Sequence, residues 1–136
     1  MKKAFVDTGA WYALVDATDP DHDRTVACVH EYRGRLVTSN YVFDETLTLV
    51  RYKLGWQIAQ QLGEQLRGGR LTRIERISAK DEEAAWSIIS HYSDKSFSFT
   101  DCTSFALVQR IGLPLCIAID EDFRAFGLHC IPVLKQ

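Results

Sequence analysis

Acidic residues stand inside or at the ends of short apolar runs at four places spread along the 136-residue chain. They are Asp7 after Ala4-Phe5-Val6, Glu45 between Val42 and Leu49, Asp101 ahead of Phe105, and Asp120 with Asp122 after Leu115–Ile119. This pattern restricts the fold more than any other feature. A carboxylate at the edge of a core is costly unless something compensates it, and several brought together repel one another. A divalent cation removes both penalties. The chain therefore reads as a metal site assembled from distant segments.

The elements between the acids say how they could meet. Ala4-Phe5-Val6 and Leu36-Val37-Thr38 read as short strands, and 71–76 alternates weakly as a third. Leu115–Ile119 is continuously apolar, as expected in a parallel sheet covered on both faces. Ile131-Pro132-Val133 reads as the last strand. Helical spacing covers 9–14, with Thr8 as its cap, and then 19 to about 32, ended by Gly34. A third helix over 40–54 is capped by Ser39 or Asn40 and closed by Gly55. Further helices span 57–66, 78 to about 92 and 100–111, with a short one before the last strand. The stripe Ala84, Ala85, Ile88 and Ile89 is expected to be buried. Strands alternating with helices specify an α/β fold with a mainly parallel sheet. With 46% apolar residues and no linker, 1–136 reads as one domain.

Ligands of such sheets bind beyond the carboxyl ends of the strands. Asp7 and Asp120 each follow a strand, so both point to one rim. Glu45 lies three residues after Val42 and four before Leu49, on an apolar helix face. Its neighbour Asp44 shares a polar face with Thr48 and Arg51. Taken singly, each acid has a plainer reading. Asp101 fits a Ser-x-x-Asp capping pattern with Ser98, Asp7 a strand-end turn, and Asp120 with Asp122 a turn and N-cap. The four together favour a site.

Net charge is only −2, which excludes a generally basic nucleic-acid coat but not a local patch. The densest basic run, Arg67-Gly68-Gly69-Arg70 with Arg73 and Arg76, reads as RNA phosphate contacts or as a solvated loop. Trp11, Tyr12, Tyr41 and Trp56 are expected in the core, with base stacking as the alternative. The four cysteines lack zinc spacing and read as free, buried thiols. His22, after the helix-start signal Asp19-Pro20-Asp21, reads as a capping or packing residue, and His30, His91 and His129 have no spaced partner for metal or general-base work. No apolar run is long enough to span a membrane. Asp7 interrupts the stretch after Lys2-Lys3 too early for a signal peptide, so a cytoplasmic protein is expected.

In order, the stretches Val6-Asp7-Thr8-Gly9-Ala10-Trp11, Asp44-Glu45-Thr46-Leu47, Ser98-Phe99-Thr100-Asp101-Cys102 and Ala118-Ile119-Asp120-Glu121-Asp122-Phe123 span nearly the whole chain. Through them it resembles the PIN-domain nucleases, especially the VapC-like toxins of toxin–antitoxin modules. The resemblance implies a three-layer α/β/α fold and an Mg²⁺- or Mn²⁺-dependent endoribonuclease. It implies Asp7, Glu45, Asp101 and Asp120 as the catalytic, metal-holding acids. Thr8 and Thr100 are implied as hydroxyl neighbours that order the site, and Asp122 as a less regular fifth acid. Hard oxygen ligands suit Mg²⁺ and Mn²⁺. With two ions, Asp7, Glu45 and Asp101 would hold the first, and Asp120 with Asp122 would complete a second position or orient water. The implied partners are RNA, a small antitoxin and a second copy of the chain. The faces Ile58/Leu62/Leu66 and Val42/Leu49 are candidates for those contacts or for core. Two rivals stay open. One is a non-catalytic binding module with the same fold. The other is a Mg²⁺-dependent phosphotransfer domain, which lacks its Asp-x-Asp-x-Thr pattern here.

Overall fold

A computed structural model describes residues 2–132. The first strand, β1 (Lys3–Val6), leads through helices α1 (Thr8–Val15) and α2 (His22–Glu31) to β2 (Arg35–Ser39). Next come α3 (Asn40–Leu54), α4 (Trp56–Arg67) and β3 (Thr72–Glu75). Then follow α5 (Ala79–His91), α6 (Phe99–Ile111), β4 (Leu115–Ile117), α7 (Glu121–Phe126) and β5 (Cys130–Ile131). The five strands form one sheet in the order β3-β2-β1-β4-β5, and every pairing is parallel.

The order steps one way from β1 to β3 and the other way from β4 to β5. Right-handed crossovers therefore put α1–α4 on one face and α5–α7 on the other. The packing agrees: α1 contacts α2 and α3, and α5 contacts α6. The result is the three-layer α/β/α arrangement, with its topological switch between β1 and β4. A crevice opens there at the carboxyl ends of the strands, and Asp7 directly follows β1.

Aromatic packing fixes the elements that meet at this crevice. Phe105 of α6 lies edge-on to Phe123 of α7, with ring centroids 4.9 Å apart, and Phe123 stacks on Phe5 of β1 at 6.1 Å. Phe126 stacks on Phe105 at 4.4 Å. Phe5, Phe105 and Phe123 are fully buried. Each is within a helical turn of a site acid in sequence, so the rings that build the core also hold the carboxylates in register.

Several boundaries differ from the sequence expectation. β4 stops at Ile117, so Ala118 and Ile119 form the exit leading to Asp120. Thr8 is already the first residue of α1, and Asp7 takes the cap position. Gly34 does not stop α2, which ends at Glu31. It lets the chain pass Lys2, whose carbonyl oxygen would sit 2.3 Å from any Cβ there. On the expected apolar stripes, Ile58 and Ala84 are exposed, while Leu62, Leu66 and Ala85 are buried. Trp56 is 60% exposed rather than core. Val133 of the expected last strand lies outside the described residues.

Candidate active site

Asp7 is 4% exposed. Its main-chain N–H donates to the Ile117 carbonyl at 3.1 Å, tying it to the neighbouring strand. Just behind it, the Thr38 hydroxyl donates to the Val6 carbonyl at 3.0 Å and accepts the Trp11 indole N–H. Asp7 stands at a helix N-cap, yet its side chain makes no capping bond. Its Oδ1 is buried without a hydrogen-bond partner. Leaving a buried acceptor unmatched costs about 1–3 kcal/mol, so this oxygen is kept for something other than local structure.

The remaining acids converge on it. Burial, reinforced by the charge of Asp101 and then by Glu45 and Asp120, pushes the Asp7 carboxyl well above its ordinary value. Asp101 is the third residue of α6. Its Oδ2 accepts the Ser98 N–H at 3.1 Å while Ser98 Oγ accepts the Asp101 N–H at 3.0 Å. Burial pushes Asp101 up to about 6, with Asp120 and Asp122 adding repulsion. Asp120 caps α7, its Oδ1 accepting the Asp122 N–H at 2.8 Å. Burial and then Asp120 also raise Asp122. Carboxylate oxygens of Asp101, Asp120 and Asp122 lie within 4.8 Å of one another.

Glu45 comes from α3 on the opposite layer. The Thr8 hydroxyl donates to its Oε1 at 2.5 Å, so Thr8 orients a site acid instead of capping its own helix. Asp44 is exposed. The structure thus brings Asp7, Thr8, Glu45, Asp101, Asp120 and Asp122 to one crevice. The Thr100 carbonyl accepts the Thr103 hydroxyl within the first turn of α6.

This donor set fits a hard divalent cation. All ligand atoms are oxygens, and one buried oxygen lacks a partner. Carboxylate oxygens of Asp101, Asp120 and Asp122 are close enough together to share one ion.

The basic run is not gathered at the acids. Arg70 precedes β3, and strand register puts Thr72 level with Leu36 and Leu36 level with Ala4. Arg70 thus lies toward the amino-terminal rim, away from Asp7. Arg73 pairs with Glu75 at 2.5 Å. Arg67 lines a cleft of about 770 Å³ between α3 and α4, together with Phe43, Leu47, Arg51 and Trp56. That cleft contains none of the site acids. Trp11 and Tyr12 are buried; Tyr41 is half-buried, its hydroxyl bonded to Glu82 and its ring against Phe99. His22 Nδ1 lies 2.6 Å from the Ala13 carbonyl and serves packing.

Two sets of contacts were not visible in the sequence. Asn40 Oδ1 accepts the Ile77 N–H at 2.7 Å, joining the start of α3 to the connection after β3. Arg124 donates to three main-chain carbonyls around Asp120. Neither contact follows a local spacing rule, so no sequence signal marked them.

Comparison with known proteins agrees with this geometry. A family model for the PIN domain matches residues 4–127. The 23S rRNA-specific endonuclease VapC20 of Mycobacterium tuberculosis is 34% identical over 123 residues, covering 90% of this chain and 93% of that protein. Its crystal structure, described as a sarcin-ricin loop cleaving toxin, superposes with a TM-score of 0.88 over 92% of this chain and 95% of that one. A VapC ribonuclease of Archaeoglobus fulgidus is 31% identical, covering 88% of this chain and 78% of that protein. FitAcB from Neisseria gonorrhoeae, at 19% identity, a TM-score of 0.71, and coverage of 95% and 96%, shares the fold.

Proposed function

The chain belongs to the PIN-domain family, and from that premise we propose that it is a divalent-metal-dependent endoribonuclease that hydrolyses RNA phosphodiester bonds. It is a VapC-like ribonuclease, the toxin of a toxin–antitoxin pair, whose partners are RNA and an antitoxin protein. Among the described residues no helix is long and apolar enough to cross a membrane. Action on cytoplasmic RNA is part of the proposal.

The observation that carries the metal dependence is the buried, unpartnered Asp7 oxygen facing three further acids. Asp7, Glu45, Asp101 and Asp120 would hold Mg²⁺ or Mn²⁺, as one or two ions, with Asp122 beside them. When bound, such an ion supplies Lewis acidity and a water of lowered pKa. The chain's own residues prepare the site. Thr8 fixes the Glu45 carboxylate. The capping box with Ser98 uses one Asp101 oxygen and leaves the other free to face the crevice. Thr38 holds the peptide in front of Asp7. Of the basic run, Arg67 would contact RNA outside the acidic crevice, from the cleft that it lines between α3 and α4. Arg70 and Arg73 have no such placement.

Cleavage of a panel of structured RNAs with Mg²⁺, Mn²⁺ or EDTA, comparing wild type with Asp7→Asn, tests this. Metal-dependent cutting that disappears in a folded Asp7→Asn variant supports it. Cutting that persists in EDTA or in the variant removes the assigned site.

A further inference from the structure

We propose that Arg124 is a positioning residue for the acidic site, holding Asp120 and Asp122 in place through the main chain. The inference rests on the metal-site reading above. Arg124 Nη1 donates to the Ala118 carbonyl at 2.8 Å and to the Asp120 carbonyl at 3.2 Å. Its Nη2 donates to the Pro132 carbonyl at 2.6 Å. One guanidinium therefore joins the exit of β4, the cap of α7 and the exit of β5.

Beyond the packing of Phe123 against Phe105 and Phe5, little else holds the exit of β4. β4 has only three residues and β5 only two. Ala118 N–H still bonds the Ile131 carbonyl at 3.1 Å, but Asp120 is exposed. Asp120 ends this exit and Asp122 lies in the first turn of α7 just after it, whereas Asp7 is held by its strand and Asp101 by its capping box. Arg124 forms no ion pair within 4.0 Å among the described residues. Its guanidinium bonds carbonyls and leaves the carboxylate oxygens available. A guanidinium suits this task because its planar fork presents five fixed donors; an ammonium is a compact charge that cannot reproduce the fork.

Groups that orient metal ligands typically change metal affinity about 10- to 100-fold when removed. The experiment is Mn²⁺ titration calorimetry on the full chain, without RNA, for wild type, Arg124→Lys, Arg124→Ala and Asp120→Asn. Metal-free thermal unfolding of each variant runs alongside. Arg124→Ala is expected to fold and bind Mn²⁺ about 10- to 100-fold more weakly, with Arg124→Lys recovering part of the loss. A folded Arg124→Ala that binds within twofold of wild type overturns the inference. If Arg124→Ala fails to fold, Arg124→Lys decides: several-fold weaker binding supports the inference and wild-type affinity overturns it. Asp120→Asn separates the two readings. If it loses binding while Arg124→Ala does not, only the role of Arg124 falls; if it binds like wild type, the metal assignment of Asp120 falls as well.

Discussion

Two helices on the same face of the sheet open with the same device and put it to different ends. α5 begins with Ser78 and Asp81, and α6 with Ser98 and Asp101, each pair closing a complete capping box. The main-chain geometry is alike. In α5 the aspartate then meets Arg110, whose Nε and Nη2 donate to its two oxygens at 2.7 and 2.9 Å. Burial works against ionisation of Asp81, but the Arg110 bond with the Ser78 bonds outweighs it and holds the carboxyl below its usual value. In α6 the aspartate meets only other acids, and its carboxyl rises to about 6. A capping box thus says how a helix starts. The tertiary partner decides whether its carboxylate is a neutralised strut or an unneutralised ligand.

The contrast is broken or sharpened first by asparagine at each position, which keeps an acceptor for the serine N–H. Asp101→Asn should lower the cleavage rate on the order of a thousandfold, corresponding to about 4 kcal/mol of transition-state stabilisation. Asp81→Asn should leave cleavage per folded molecule within about threefold, since it makes no contribution to transition-state binding. Initial rates on one RNA substrate in Mn²⁺, normalised to folded protein, decide it. An equal loss in both variants would dissolve the distinction.

Stability should separate the two next, with opposite signs. Asp81→Asn leaves Arg110 without its counter-charge. Because the arginine is 42% exposed, the cost should be about 1–3 kcal/mol in urea unfolding. Asp101→Asn removes a repelled carboxylate and should stabilise the metal-free protein on the order of 1 kcal/mol above pH 7, allowing for solvent screening. Destabilisation by both would mean that Asp101 is also structural.

A pH series is a third test. The folded state holds the Asp101 proton more tightly than the unfolded chain, where the ordinary value is 3.8. The Asp101 contribution to metal-free stability is therefore greatest below about pH 4, declines as pH rises through about 6, and is level beyond. Mn²⁺ affinity should move the other way and weaken on acidification below about pH 6, because protons compete for the same oxygens. Thermal unfolding with and without Mn²⁺ from pH 4 to 8 measures both; Asp101→Asn should flatten the metal-free trend.

The smallest expected effect is in the caps. Ser78→Ala and Ser98→Ala should each cost about 1 kcal/mol. Only Ser98→Ala should also weaken Mn²⁺ binding: the Ser98 N–H still reaches the Asp101 carboxylate, but the lost hydroxyl no longer holds the Asp101 N–H, and the turn that carries this site acid loosens.

Much of this was legible in the chain. Periodicity and caps located the helices from 40 to 54 and from 100 to 111 almost to the residue, because those signals are interactions within one turn. Glu45 was separable from Asp44 by helical spacing alone, and the structure leaves Asp44 exposed while Thr8 reaches Glu45. Trp56 and Ile58 were not legible. Their apolar character left both core and a contact surface open, and only the packing shows them exposed on α4, Trp56 in the cleft beside α3.

What the sequence by itself determined is the alternation of strands and helices, the caps that start them, and the identity and order of the acids. Each follows from neighbours a few residues apart. The tertiary structure alone decided which acids are neutralised. Arg110 reaches Asp81 across 29 residues, while Arg124 passes over the carboxylates and holds carbonyls instead. The interaction of two charges depends on their separation and on the solvent left between them, and both are set only when the sheet has brought its strands together.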